Sequence, residues 1–227
     1  MLFSPNILFG QQDSCIVEGQ IANFKSNIRI TLSIAGNVNE ADFREGKFLL
    51  TSEVSHPVLA ILNIYYQESK RPFDYIPIFL QKGIIYLIIS NPDSTFKLLF
   101  NGPELSSEYQ FNLWEPVKKY NEEMKLLDTK YQYSVKYAIS DTSILSGELT
   151  LKQKKCWQVP KDYIMRNPTS LVSIEALKFL GNGDPSIPDK IQELQALYNS
   201  LSKDIKNSPE GIKYAEKLKK LSALKIR

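Results

Sequence analysis

The 227-residue chain is 43% hydrophobic and 23% charged, values that exclude a disordered polypeptide and fit a globular protein with a real core. Its net charge of +3 is too small for the clustered basic footprint that nucleic acid requires, so no nucleic-acid partner is expected. No run of about 18 or more apolar residues occurs, so no spanning helix is expected either.

Residues 1–13 open with the apolar stretch Met1-Leu2-Phe3-Ser4-Pro5-Asn6-Ile7-Leu8-Phe9. The stretch lacks a basic region in front of it and is short for a complete secretory signal. It is expected to be the remnant of a signal peptide, with processing near Gly10-Gln11, or a disordered terminus. Cys15 follows Gln12-Asp13-Ser14; without an aliphatic residue three positions ahead of it, it makes a poor lipid acceptor.

From residue 14 the pattern has period two. Residues 16–23 form a short alternating stretch, and Ile28-Arg29-Ile30-Thr31-Leu32-Ser33-Ile34 alternates apolar and polar side chains, as a half-buried strand does. Glu45-Gly46 reads as a turn opening a strand at Lys47-Phe48-Leu49-Leu50. Residues 57–66 are a long β-branched and aromatic run. Residues 76–80 and 84–89 are two strands flanking Gln81-Lys82-Gly83, a hairpin loop by its length and glycine. Residues 96–100 end at Asn101-Gly102, another turn signal. About seven short strands joined by turns describe an antiparallel sandwich or an open barrel over residues 14–115.

The period changes to 3.6 after Trp114-Glu115-Pro116. Val117, Tyr120, Met124, Leu127, Tyr131, Val135 and Ala138 advance by threes and fours, an amphipathic helix. The alternation Tyr131-Tyr133-Val135-Tyr137 also suits a strand, but the stripe continues from Val117 and favours the helix. Pro160 should interrupt or restart any helix between Ile144 and Met165. Thr169-Ser170 offer a cap for a helix over Leu171–Leu180, and Gly181 a left-handed stop. One helix should carry Ile191, Leu194, Leu197, Tyr198, Leu201 and Ile205. Ser208-Pro209-Glu210 opens the last, with proline in its first turn and an acid at its positive end. Residues 116–227 are thus expected to be an α-helical domain, and the whole chain an α+β protein.

Candidate chemistry is sparse. His56, the single histidine, precedes Pro57 at a turn, and nothing near it resembles a nucleophile elbow. Cys15 and Cys156 stand apart with no CxxC spacing, so neither a redox pair nor a zinc site is expected; a single disulfide between them requires an oxidising compartment. Gly181-Asn182-Gly183-Asp184-Pro185 lacks the lysine of a phosphate loop and follows a helix rather than a strand. Glu122, Glu123, Asp128 and Asp141 read as a solvated face or loop. From Lys203 onward eight Lys or Arg face three Asp or Glu. Such a helix can lie on an anionic membrane, but packing against helical neighbours is the expected use. Tyr65, Tyr66, Tyr75 and Tyr86 are candidates to line an aromatic groove for a glycan or peptide, with core and sheet packing the commoner use of such rings. No cofactor or metal is expected, and no catalytic residues are assigned.

Five landmarks occur in a fixed order: Ile16-Val17-Glu18-Gly19-Gln20-Ile21, Glu45-Gly46-Lys47-Phe48, Pro57, Pro77-Ile78-Phe79-Leu80-Gln81-Lys82-Gly83 and Phe100-Asn101-Gly102-Pro103-Glu104-Leu105. Their order and spacing resemble a β-rich domain of unknown function found at the N-terminus of thioredoxin-like (TlpA or AhpC/TSA type) proteins of the Gram-negative envelope. Asn167-Pro168-Thr169-Ser170-Leu171-Val172-Ser173 and Leu197-Tyr198-Asn199-Ser200-Leu201-Ser202 resemble the helical segment that follows it. The resemblance covers about residues 14–225 and implies an exported, periplasmic or envelope-associated protein. In that family a thioredoxin domain with the redox cysteines comes next. Neither cysteine here matches those positions, so no catalytic residue is carried over. The expected function is a non-catalytic accessory module of an envelope thiol-disulfide system, which positions a redox domain, binds its client protein or pairs with a second copy. The alternatives are a glycan- or peptide-binding sandwich and a truncated oxidoreductase lacking its catalytic domain.

Overall fold

The computed structural model describes residues 14–22, 28–66, 69–70, 72, 74–90, 97–138, 142–182 and 188–224. The signal-like residues 1–13, Asp141, the Gly183-Asp184-Pro185 portion of the glycine-rich stretch and the final 225–227 lie outside them. The protein is α+β, with strands first and helices after. It divides into two units, Met1–Ser107 and Glu108–Arg227.

The first unit holds β1 (Ser14–Ala22), β2 (Ile28–Ile34), β3 (Asn37–Glu40), β4 (Asp42–Arg44), β5 (Lys47–Glu53), β6 (Val58–Tyr66), β7 (Asp74–Leu80), β8 (Gly83–Ser90) and β9 (Lys97–Asn101). One sheet has the order β4-β5-β1-β8-β9, the other β3-β2-β6-β7. Period-two patterning buries one side of β5 and β8. In β5, Phe48, Leu50 and Ser52 are buried while Lys47, Leu49, Thr51 and Glu53 are exposed. β8 does the same with Ile85, Leu87 and Ile89. These join Val17, Ile30, Leu32, Leu62, Ile64 and Ile78 in one core drawn from both sheets, the arrangement of a sandwich.

Two findings correct the strand-level expectations. Gln81-Lys82-Gly83 is not a hairpin loop. β7 pairs with β6 in one sheet, whereas β8 pairs with β1 and β9 in the other, so the three residues carry the chain between sheets. β8 also runs parallel to β1, from Cys15↔Gly83 to Ala22↔Ser90, which makes that sheet mixed; the other strand pairs are antiparallel. Pro77 sits in β7, an edge strand, where a missing N–H costs no ladder bond on the open side. The short β3 and β4 are too polar to stand out in the sequence. They form because tight turns at Ala35-Gly36 and Glu45-Gly46, with both central φ angles positive in each, fold them back onto their neighbours.

The helices are α1 (Glu104–Tyr109), α2 (Glu115–Tyr137), α3 (Ser143–Arg166), α4 (Val172–Gly181), α5 (Pro188–Ser200), α6 (Lys203–Asn207) and α7 (Pro209–Leu224). A π-helical turn, Gln110–Trp114, joins α1 to α2, and the Glu115 N–H bonds the Gln110 carbonyl. Pro116 explains the wide turn: its ring would collide with the carbonyl four residues back in a regular helix.

In the second unit, α4 contacts α3, α5 and α7. Every residue from Val172 to Leu177 is buried, as befits a helix surrounded by others. Ser170 Oγ accepts the Val172 N–H at 3.1 Å just ahead of α4, whose N-cap position is Leu171 and not the expected Thr169 or Ser170.

Three helix expectations are corrected. α3 runs unbroken through Pro160, because the half of the helix around it, with Cys156, Tyr163 and Ile164, is buried and offsets the one lost hydrogen bond. Gly181 is the last residue of α4 and carries no left-handed turn; Asn182, at φ −84°, follows it. Its small size matters instead, since a Cβ would lie 3.1 Å from Tyr214 Oη. The helix expected to span Ile191 to Ile205 is two helices. Ser202, at ψ 158°, leaves the helical region and caps α6 by accepting the Ile205 N–H at 3.3 Å. The final helix opens as its sequence suggests, with Ser208 Oγ accepting the Gly211 N–H at 3.1 Å ahead of Pro209.

Candidate functional site

The groups that could carry chemistry are divided between the two units. Cys15 is fully buried in β1 and Cys156 is 1% exposed in α3. Both are free thiols, one in each unit. Burial pushes the Cys15 thiol up, against a smaller opposing backbone hydrogen bond at Gln81. Burial pushes Cys156 up as well. Cys156 Sγ donates to Asn121 Oδ1 at 3.7 Å. A raised pKa and a closed environment both suppress the thiolate that exchange chemistry needs. His56 is exposed, and its Nδ1 lies 3.0 Å from Ser55 Oγ. Among the described residues no group of three or more His, Cys, Asp or Glu is placed to hold a metal ion.

The four candidate tyrosines do not share one face. Tyr65 and Tyr75 lie in β6 and β7 of the four-stranded sheet; Tyr65 stacks under the Arg29 guanidinium, 4.3 Å from its ring centroid. Tyr66 alternates with Tyr65 and shares the side of the buried Ile64. Tyr86 belongs to β8 in the other sheet, between Glu18 and Asn101. Alternation along a strand fixes the side of each ring but not its sheet, which the sequence did not disclose. A shallow groove of about 430 Å³ lies on the five-stranded sheet against Glu18, Asp42, Arg44 and Lys47. The Phe48 ring at its floor is buried, so the groove offers no open aromatic platform.

The acids fall into structural roles. Glu123 accepts a hydrogen bond from Lys152 across the α2–α3 pair, and this bond holds its carboxyl below the usual range. Glu122 and Asp128 are exposed. In α4, buried Glu175 pairs with Lys178 at 2.8 Å, and Lys178 reaches Glu210 of α7 at 2.5 Å. Within the second unit, Glu108 gathers the hydroxyls of Tyr163 and Ser170, the latter at 3.1 Å.

One surface escaped the sequence reading. Only Val117 is buried in the 23 residues of α2, and the buried residues of α3 begin at Cys156. The outer parts of the two helices therefore form a hairpin with a single seam. Leu126, Tyr133 and Tyr137 of α2 and Ile144 and Leu151 of α3 are all more than half exposed. The Tyr133 and Tyr137 rings meet at a tilt of 48°, their centroids 4.6 Å apart. Their spacings of seven and four put them in a second stripe along each helix. That second stripe was the available signal.

Among the described residues no helix is long and apolar enough to cross a membrane. No protein-family model matches the chain, and no curated protein sequence is significantly similar to it.

Proposed function

We propose that this protein is a non-catalytic accessory module of an envelope thiol-disulfide system, which positions a redox domain or holds its client protein. The setting comes from the ordered landmarks of the β-rich unit and from their resemblance to the domain that precedes thioredoxin-like envelope proteins. The mode of action comes from one observation: the best-developed surface of the second unit is the exposed apolar face of the α2–α3 hairpin, which suits a protein partner. The two thiols support the same role, because both are buried and hold their protons tightly.

The proposal includes export. Fractionation of the native host, with an amine-reactive cross-linker applied to each fraction, tests setting and partner together. Recovery in the envelope fraction, cross-linked to a thioredoxin-fold oxidoreductase or to one of its disulfide-bearing clients, is the expected result. Recovery of the chain in the cytoplasm alone would overturn it.

A further inference from the structure

We infer that the α2–α3 hairpin is a self-association surface: two copies pack these faces together as a four-helix layer across a two-fold axis. This deepens the positioning role proposed above, since a two-fold pair would hold two attached or bound partners at a fixed spacing.

Lys152 bonds Glu123 and Cys156 bonds Asn121 across the seam, which fixes the register of the antiparallel helices. Leu126 then lies level with Leu151, and Tyr133 with Ile144, to within a turn. At 3.6 residues per turn, each exposed stripe sits about 120° round its helix from the seam, in the same rotational sense. Antiparallel packing turns both stripes to one side of the hairpin.

Area and charge then select the occupant. From Lys118 to Tyr137, α2 is about 30 Å long at 1.5 Å per residue. Two helices side by side are roughly 20 Å wide. The face is therefore about 600 Å² per copy, or about 1,200 Å² for a pair, the lower bound for a specific stable interface. The same register brings Lys130 level with Glu148, both on the apolar side. A two-fold axis along the hairpin lays α2 of one copy over α3 of the other and pairs these opposite charges between copies. It also brings Glu122 toward the Lys155 region. An anionic membrane would satisfy the lysines but leave Glu122 and Glu148 against like charge; a second hairpin accommodates both signs.

Sedimentation velocity of the full chain tests this. The wild type is expected to populate a species of twice the 26.0 kDa chain mass, with a dimer fraction that rises over about 1–100 µM. The double variant Leu126→Glu/Leu151→Glu should weaken association at least about tenfold. These side chains are 60% and 54% exposed, so its circular dichroism should match the wild type. A charge swap provides the second arm: Lys130→Glu should weaken the dimer about threefold or more, and Lys130→Glu/Glu148→Lys should restore it. A wild-type monomer throughout that range would overturn the proposal, including one that binds phosphatidylglycerol vesicles through this face. So would a dimer indifferent to both sets of variants. Either result leaves the non-catalytic role standing, whereas thiol turnover by the chain would sink that role without touching the interface.

Discussion

Phe48 in β5 lays its ring across the backbone of Gly19, its cross-strand partner in β1, so closely that a Cβ on Gly19 would overlap the ring. Both residues face the core side of their strands, and Phe48 is 4% exposed. Gly19→Ala therefore forces the ring out of its place. A loss of about 1–3 kcal/mol is expected from overpacking, measured by urea unfolding of the first unit's signal. Phe48→Leu in the Gly19→Ala background should recover part of that loss, because the two positions share one volume.

Lys178 is the hinge of the charge cluster in the second unit. Burial alone would lower its pKa, but Glu175 and Glu210 beside it hold it above the ordinary lysine value. A raised folded-state pKa means the contribution to stability is complete below the unfolded value, near 10.4, and is lost as pH rises through the folded one. Stability should thus fall on the alkaline side of about pH 10. Lys178→Met should remove that contribution and cost about 2–4 kcal/mol, because it strands buried Glu175 without a partner. Adding Glu175→Gln should return part of it. Equal stability of the Met variant and the wild type would contradict this account.

Tyr163 donates its hydroxyl to Glu108 and is 5% exposed. Burial, and then the bond to Glu108, push its ionisation well above the usual tyrosine range. Burial does the same to Tyr214, which donates to the Leu177 carbonyl at 3.0 Å. In an alkaline ultraviolet titration these two phenols should ionise only as the protein unfolds. Tyr163→Phe should cost about 1–3 kcal/mol by leaving Glu108 short of a donor.

Thr31 is 2% exposed in β2, and its Oγ1 has no hydrogen-bond partner among the described residues. A buried hydroxyl without a partner is a cost that a methyl of the same shape removes. Thr31→Val should stabilise the first unit by about 1 kcal/mol in the same unfolding experiment.

These features were unequally legible in the sequence. The alternation of residues 28–34, 47–53 and 83–90 announced strands because burial repeats with the pleat. Which strands would pair was not written there: Gln81-Lys82-Gly83 has the length of a hairpin loop, and only the parallel pairing of β8 with β1, far away in the chain, makes it a crossover. Pro160 looked like a helix break because its penalty is local, while the burial that offsets it comes from other helices. The apolar spacing from Ile191 to Ile205 concealed the break at Ser202, whose cap competes with the stripe. The α2–α3 face was hidden by assuming one stripe per helix; Leu126, Tyr133 and Tyr137 form a second. The wide sequence spacing of Cys15 and Cys156 was legible, but the burial of both thiols required the fold.

The central claim is that the chain performs no thiol chemistry of its own. The most direct test is disulfide reduction of insulin by the folded, purified chain with dithiothreitol as reductant, alongside the Cys15→Ser/Cys156→Ser variant. Both proteins should stay at the uncatalysed rate, and the wild-type thiols should react with a disulfide reagent only on unfolding. Turnover above background by the folded wild type, whether or not it survives loss of the two cysteines, would contradict the account.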